Sequence, residues 1–219
     1  MGKLIAIEGL DGSGKQTQSA LLKDALAGAG YKVASIDFPR YGKKSAVLCE
    51  AYLNGELGGR ADEVGAYAAS TLFAVDRYAS YLTEWKTLYE GADFLVADRY
   101  ATSNAIHQCG KLPRGEWEGF VSWLYDFEFG KLGLPRPDQV FYLSMPVSTS
   151  EGLLTARYAG DESKKDIHER DDSYLRRSHE AAEWCCARLG WERVECVRGR
   201  SLRTIEEIHE EILKKIGNR

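Results

Sequence analysis

The sequence predicts an α/β protein built on a parallel five-stranded sheet with helices on both faces. Short apolar runs alternate with longer segments of helical periodicity along the whole chain. The first run leads directly into a glycine-rich turn and then a helix, and three of the runs end in polar residues. In such sheets ligands bind beyond the carboxyl ends of the strands, so Gly9, Asp37 and Asp98 converge on one edge although they lie far apart in the chain.

Each element follows from local pattern. Residues 3–8, with Leu4, Ile5, Ala6 and Ile7 at the centre, read as a buried strand. The next helix carries Leu21, Leu22, Ala25 and Leu26 and stops near Gly28 and Gly30. Residues 31–38 form the second strand, broken by Pro39, and 45–54 a short helix. Val64, Tyr67, Ala68, Leu72, Val75 and Tyr78 recur at helical spacing and predict one long helix over 62–89. Residues 93–97 are the third strand, ending at Asp98-Arg99-Tyr100. A helix over 116–129 precedes the fourth strand, 139–143, which is set up by Pro135 and Pro137. Residues 147–158 are helical. The polar stretch 159–170 reads as a mobile loop. A helix over 171–189, the fifth strand over 192–197 and a final helix over 204–216 complete the chain, with no internal repeat or low-complexity tract.

The 219 residues suit a single domain able to bury a full core. Hydrophobic residues make up 44% and charged residues 28%, a soluble balance, and the net charge of -4 disfavours general nucleic-acid binding. No run approaches the roughly 20 apolar residues that span a bilayer, and the start lacks a signal peptide's apolar stretch. Cys49, Cys109, Cys185, Cys186 and Cys196 form no CxxC pair and read as reduced, mostly buried thiols of a cytoplasmic protein.

Gly9-Leu10-Asp11-Gly12-Ser13-Gly14-Lys15 matches the G-x-x-x-x-G-K phosphate loop, with a strand before it and a helix after. Its glycines let successive N–H groups face one anion, the helix start adds positive potential, and Lys15 reaches the β- and γ-phosphates. The usual Ser or Thr after the lysine, a Mg²⁺ ligand, is replaced by Gln16, with Thr17 next. Magnesium then rests on waters, the phosphates and a carboxylate such as Asp98.

With this loop, four further segments in order make the chain resemble the thymidylate kinase family across nearly its whole length. They are Asp37-Phe38-Pro39-Arg40-Tyr41-Gly42, Leu72-Phe73-Ala74-Val75-Asp76-Arg77, the stretch from Asp98-Arg99-Tyr100 to Asn104-Ala105-Ile106-His107-Gln108, and a basic lid ending in Asp166-Ile167-His168-Glu169-Arg170-Asp171. The resemblance implies transfer of the γ-phosphate of ATP to dTMP, giving dTDP and ADP, with Mg²⁺ as cofactor. It implies an ATP site made by Gly9, Asp11, Gly12, Ser13, Gly14, Lys15, Gln16 and Thr17.

On the acceptor side, the resemblance places Asp11 at the sugar and Arg40 on the acceptor phosphate. Arg99 bridges the two phosphates, and forked arginine donors suit both tasks. Phe38 and Gln108 join the pocket. Phe73 stacks on the thymine, although periodicity alone makes it a core residue. Arg77, oriented by Asp76, donates to a base carbonyl. Asn104 pairs with the base edge or else caps a helix. His107 stands where many relatives carry tyrosine near the sugar, which leaves the choice between deoxyribose and ribose open; it reads equally as a structural histidine.

Gly12 puts the sequence among relatives whose catalytic charge comes from the lid, spanning about 157–170. Arg157 is the preferred lid cation, with Lys164 or Lys165 behind it and Asp166 and Glu169 as anchors. The resemblance implies a homodimer; the aromatic-rich stretches 67–85 and 117–129 read either as its face or as ordinary core, and periodicity leaves both open. Two other readings stay open: a related kinase with a different nucleotide or deoxynucleoside acceptor, and a non-catalytic nucleotide-binding switch.

Overall fold

The computed structural model describes residues 2–161, 166–199 and 201–217. Five parallel strands form one sheet, β1 (Lys3–Glu8), β2 (Val33–Asp37), β3 (Phe94–Asp98), β4 (Gln139–Ser144) and β5 (Glu192–Glu195), in the order β2-β3-β1-β4-β5. Ile7 pairs with Asp98 and Asp98 with Asp37, so three strands end level at one edge.

Strand alternation divides the core. Leu4, Ala6, Leu95, Ala97, Val140 and Tyr142 face one cluster, which includes Ile106, Leu124 and Cys185. Ile5, Ile7, Val96, Phe141 and Leu143 face the other, with Leu22, Leu26, Ile208 and Ile212. The first face is covered by α5 (Ala101–Cys109), α6 (Trp117–Tyr125) and α8 (Asp172–Leu189). The second is covered by α1 (Lys15–Gly28) and α9 (Ile205–Gly217). Each side chain of leucine size buried this way contributes about 1.5–3 kcal/mol, which makes the sheet the stable frame of the site. The short α2 (Val47–Leu53) and α7 (Val147–Arg157) border the strand ends.

The structure corrects the element boundaries in four places. The second strand is shorter than 31–38, and the fifth stops at Glu195. The chain then turns into a two-stranded hairpin, β6 (Val197–Arg198) and β7 (Ser201–Leu202). The long helix predicted over 62–89 begins only at α3 (Ala66–Ser80), after positive-φ turns at Gly55 and Gly58. It passes through a π-helical turn, Tyr81–Trp85, into α4 (Lys86–Gly91). That turn rolls Trp85 inward, against the edges of Phe38 and Tyr100. The helix predicted over 116–129 likewise becomes π-helical over Asp126–Lys131.

A fifth correction is α5, an element sequence periodicity misses. Eight of its nine residues are buried, so it has no polar face to alternate with an apolar one. It packs so tightly on α8 that a Cβ added at Gly110 would lie 2.7 Å from Ser178 Oγ and 3.0 Å from the Ser178 backbone nitrogen.

All five cysteines are buried and free. Among the described residues no helix is long and apolar enough to cross a membrane. The end of the predicted loop is docked: Ile167 is buried beside Tyr52 and Leu53, and its N–H donates to Leu53 O at 3.2 Å. Lys164 and Lys165 lie outside the described residues.

Gly110→Ala carries no backbone strain but forces α5 and α8 apart, so it is expected to cost about 1–3 kcal/mol. Urea unfolding checks this: the midpoint should fall with the slope unchanged.

Candidate active site

The phosphate loop runs from the end of β1 to the first turn of α1. Gly12 and Gly14 have φ of 80° and 88°, a region that favours glycine. A Cβ on Gly12 would also meet Ser150 O of α7 at 2.7 Å. Helix α1 starts at Lys15 with no acidic residue in its first turn and no side-chain cap among the described residues, so its leading N–H groups remain available to an anion.

Glu8, the last residue of β1, is fully buried. It accepts hydrogen bonds from Tyr100 N (2.9 Å), Thr102 Oγ1 (2.6 Å) and Ser103 Oγ, all at the start of α5. Burial pushes its carboxyl up, and these donors oppose the shift. A side chain from one strand thereby anchors the helix that leaves the neighbouring strand.

Arg99 sits between them with φ of 67°, its N–H on Ile7 O. This left-handed turn at the end of β3 aims its guanidinium back over the loop, where it pairs with Asp11. Its Nη1 donates to His107 Nε2 at 3.1 Å and to Ser103 Oγ at 3.4 Å. Lys15 Nζ donates to Leu10 O at 2.8 Å and lies 3.7 Å from Asp11 Oδ1. Asp11 therefore sits between two cations, the buried Lys15 and the half-buried Arg99.

The electrostatics follow. Burial resists ionisation of Asp11, but Arg99 and Lys15 outweigh it and hold its carboxyl far below the usual range. Burial, reinforced by Arg99, lowers the Lys15 ammonium to about 8 against the pull of Asp11. Burial and Arg99 also push His107 down to about 3, so it is neutral and its Nε2 accepts from Arg99. Asp98, at the end of β3, is pushed up by burial and pulled back by Lys15.

These groups open into a cleft of about 680 Å³. Asp11, Gly12, Gly14, Lys15, Gln16 and Asp98 line one end. Phe38, Phe73, Arg77, Asn104, His107 and Gln108 line the other, and Arg99 stands between. Gly9 and Ser13 shape the loop from behind: a Cβ on Gly9 would lie 2.5 Å from Ser13 Oγ. Thr17 is exposed and outside the lining, whereas Ser19, one helical turn beyond Gln16, belongs to it. Phe73 is half-buried, its ring edge-on to Tyr52 at 5.9 Å; it packs against the cluster of Tyr52, Leu53, Ala69 and Ile167 and also lines the cleft.

Two expected placements are corrected. The Arg40 guanidinium does not line the cleft; Nη1 binds Asp37 at 2.7 Å and Nη2 binds Glu84 at 2.9 Å. Asp76 does not orient Arg77; its Oδ2 accepts from the Arg40 backbone N–H at 2.9 Å. Arg77 is held instead by Glu128, a buried residue of the π-helical segment 126–131 that sequence reasoning missed. An acid flanked by Phe127 and Phe129 was the signal available.

The far wall also includes Tyr41, Asn54, Tyr158, Asp166, His168 and Glu169. His107 stacks on His168 (5.3 Å, 15°), His168 Nε2 is 2.8 Å from Tyr52 Oη, and Lys111 Nζ donates to Tyr52 Oη at 2.7 Å. His107 thus belongs to a packed polar wall. Asp166 Oδ1 caps its own turn through His168 N and Glu169 N; burial, with repulsion from Asp11 and Glu169, pushes its carboxyl up to about 7. Arg157 closes α7 next to Tyr158.

A loop shaped for a polyphosphate shares one cleft with a subsite walled by an aromatic ring, an arginine and an amide. This combination defines the class, a P-loop kinase acting on a nucleotide. Residues 7–212 match the family model described as thymidylate kinase. The chain is 38% identical over 178 residues to a thymidylate kinase of Mycobacterium tuberculosis (strain CDC 1551 / Oshkosh), covering 80% of this chain and 81% of that protein. It is 28% identical over 218 residues to the thymidylate kinase of Plasmodium falciparum (isolate 3D7), covering 98% and 90%. To that of Homo sapiens it is 28% identical over 212 residues, covering 96% and 88%. The chain belongs to the thymidylate kinase family, and its activity is the ATP-dependent phosphorylation of dTMP to dTDP.

Lys15 provides a test of the phosphate end. In the free enzyme it loses its proton above about pH 8, whereas bound phosphates favour the charged form. ATP affinity is therefore expected to fall as pH rises from about 7 to about 9, with growing proton uptake on binding. Titration calorimetry in two buffers of different ionisation enthalpy measures both.

Proposed function

We propose that ATP lies with its phosphates over the loop and Lys15, and that dTMP lies with its ring against Phe73 and its phosphate at Arg99. The observation that carries this reading is the contiguity of Lys15, Asp11 and Arg99 where the two ends of the cleft meet. An arginine there can neutralise both phosphates at once.

The dTMP phosphate oxygen is anionic at neutral pH and attacks the γ-phosphorus without a general base. A new P–O bond forms on the acceptor as the bond to the β-phosphate oxygen breaks, and ADP departs with the electron pair. Loop N–H groups, Lys15 and Arg99 stabilise the spread of negative charge. Asp11 keeps both cations in place and offers its second oxygen to the sugar hydroxyl. Arg157 is the lid cation of this reading, and closure over the cleft excludes water that would otherwise hydrolyse ATP. Arg40 would reach the acceptor phosphate only by leaving Asp37 and Glu84.

The donor set fits Mg²⁺. Asp98 supplies a hard oxygen ligand beside Lys15, and no group of three metal-ligating side chains occurs among the described residues. Such a site suits an ion held largely by phosphates and water, with Asp98 as its protein contact. When bound, it supplies charge neutralisation between the phosphates. The enzyme works in the cytoplasm, where its five buried thiols stay reduced. It acts as a homodimer through α3, on which Tyr67, Val75 and Tyr78, together with Leu82 beyond it, are exposed at helical spacing.

An acceptor panel of dTMP, dUMP, dGMP, CMP and thymidine, followed by ADP release, tests the reading; dTMP should give the highest rate, and no stimulation by any acceptor would overturn it. Lys15→Ala and Arg99→Ala should each lower kcat by about 10²–10³ while weakening nucleotide binding far less, and near-normal turnover would remove the residue from the mechanism. Sedimentation velocity should show a dimer that Leu82→Glu converts to monomer.

A further inference from the structure

Glu128 is fully buried and takes no part in the chemistry above. A carboxylate removed from water needs charged or hydrogen-bonding partners. It has two, and both are on the wall facing the base. Arg77, 2% exposed, donates from Nε to Oε2 at 2.8 Å and from Nη2 to Oε1. Asn104, 3% exposed, donates from Nδ2 to Oε1 at 3.3 Å.

These bonds leave a defined pair of groups over. The Arg77 fork binds Glu128 along one edge, and Nη1 has no acceptor among the described residues. The Asn104 amide lies between Glu128 Oε1 and Ser70 O, each at 3.3 Å. Neither a carboxylate nor a backbone carbonyl can donate, so the amide nitrogen must face them and the amide oxygen must face away. Arg77 and Asn104 both line the cleft. The two residues held by Glu128 thus present one acceptor, Asn104 Oδ1, and one donor, Arg77 Nη1.

A 4-oxo pyrimidine with N3–H offers the matching donor and acceptor. A 4-amino pyrimidine has both reversed: a bare N3 would meet an oxygen, and an amino group would meet a guanidinium. We propose that Glu128 is the positioning residue that sets the donor–acceptor polarity of the base subsite, so that the enzyme takes 4-oxo pyrimidine nucleotides and rejects 4-amino ones. This rests on the reading of the Phe73 end of the cleft as the base subsite. Glu128 touches neither nucleotide and acts through Arg77 and Asn104. Its own position is held by the π-helical turn, by the stacking of Phe127 on Trp123 (5.3 Å) and Phe129 on Tyr100 (6.3 Å), and by Leu134 N on Glu128 O (3.1 Å).

Glu128→Gln is the informative change. A glutamine can offer oxygen to Arg77 or to Asn104 from one atom only, and its amide nitrogen lets the Asn104 amide turn round. The experiment measures kcat/KM for dTMP and dCMP in wild type and E128Q, with the KM for ATP and the thermal midpoint alongside. Wild type should favour dTMP by about 10² or more, and E128Q should reduce that ratio at least about tenfold, through KM for dTMP, with KM for ATP unchanged. A purely structural role would lower both acceptors together and leave the ratio in place, which overturns the proposal while dTMP phosphorylation stands. Should E128Q not fold, Glu128→Asp retracts the carboxylate by one methylene and carries the same expectation. Wild type itself provides a further arm: equal use of dTMP and dCMP overturns the polarity outright. Absence of activity on every pyrimidine monophosphate overturns the base-subsite reading, and this inference with it.

Discussion

The structure depends on one buried carboxylate. Glu8 ends the central strand of the sheet and gathers the backbone N–H of Tyr100 and the hydroxyls of Thr102 and Ser103. The desolvation that this placement costs is offset only in part by the donors it collects, and the carboxyl stays raised. Gly9 follows Glu8 immediately, Arg99 precedes Tyr100, and Asn104 and His107 follow Ser103. One interaction therefore fixes the distance from the phosphate loop to the arginine at its mouth and to the wall of the base subsite. A sheet alone would align strand ends; it would not set the rotation of α5 about its own axis.

Charge in the cleft is arranged around Asp11. Burial and then repulsion from Arg99 lower the Lys15 ammonium, and the carboxylate between the two cations makes their proximity tolerable. The cations are thus held near one another before any phosphate arrives, which removes reorganisation from the step that needs them. Burial, with the charge of Arg99, keeps His107 neutral, so its ring serves as an acceptor for Arg99 and a stacking partner for His168 rather than as a third positive charge.

Much of this was legible in the sequence, for physical reasons. Strands buried on both faces read as apolar runs, and positive φ at Gly12 and Gly14 is why the loop's glycines stand out. Helix α5 was not legible because burial on nearly all sides erases periodicity. Arg40 and Asp76 looked functional through their neighbours in the chain, but Glu84, distant in sequence, captures the Arg40 guanidinium. Glu128 was hidden because an α-helical wheel assigns it a rotation that the π-helical backbone does not have. The phosphate end of the site was written in local backbone geometry. At the base end Phe73, Arg77 and Asn104 stood in readable segments, but the ion pair that orients Arg77 joins residues far apart in the chain, which local pattern does not carry.

The two widened turns, Tyr81–Trp85 and Asp126–Lys131, each put an inward residue, Trp85 or Glu128, where regular winding would carry it round to another side. Chain length in these stretches is therefore part of the recognition apparatus. Relatives that gain or lose a single position there cannot keep the same inward pair, whatever amino acids they retain. Descent in this family should tolerate altered spelling in the two segments more readily than an altered number of letters.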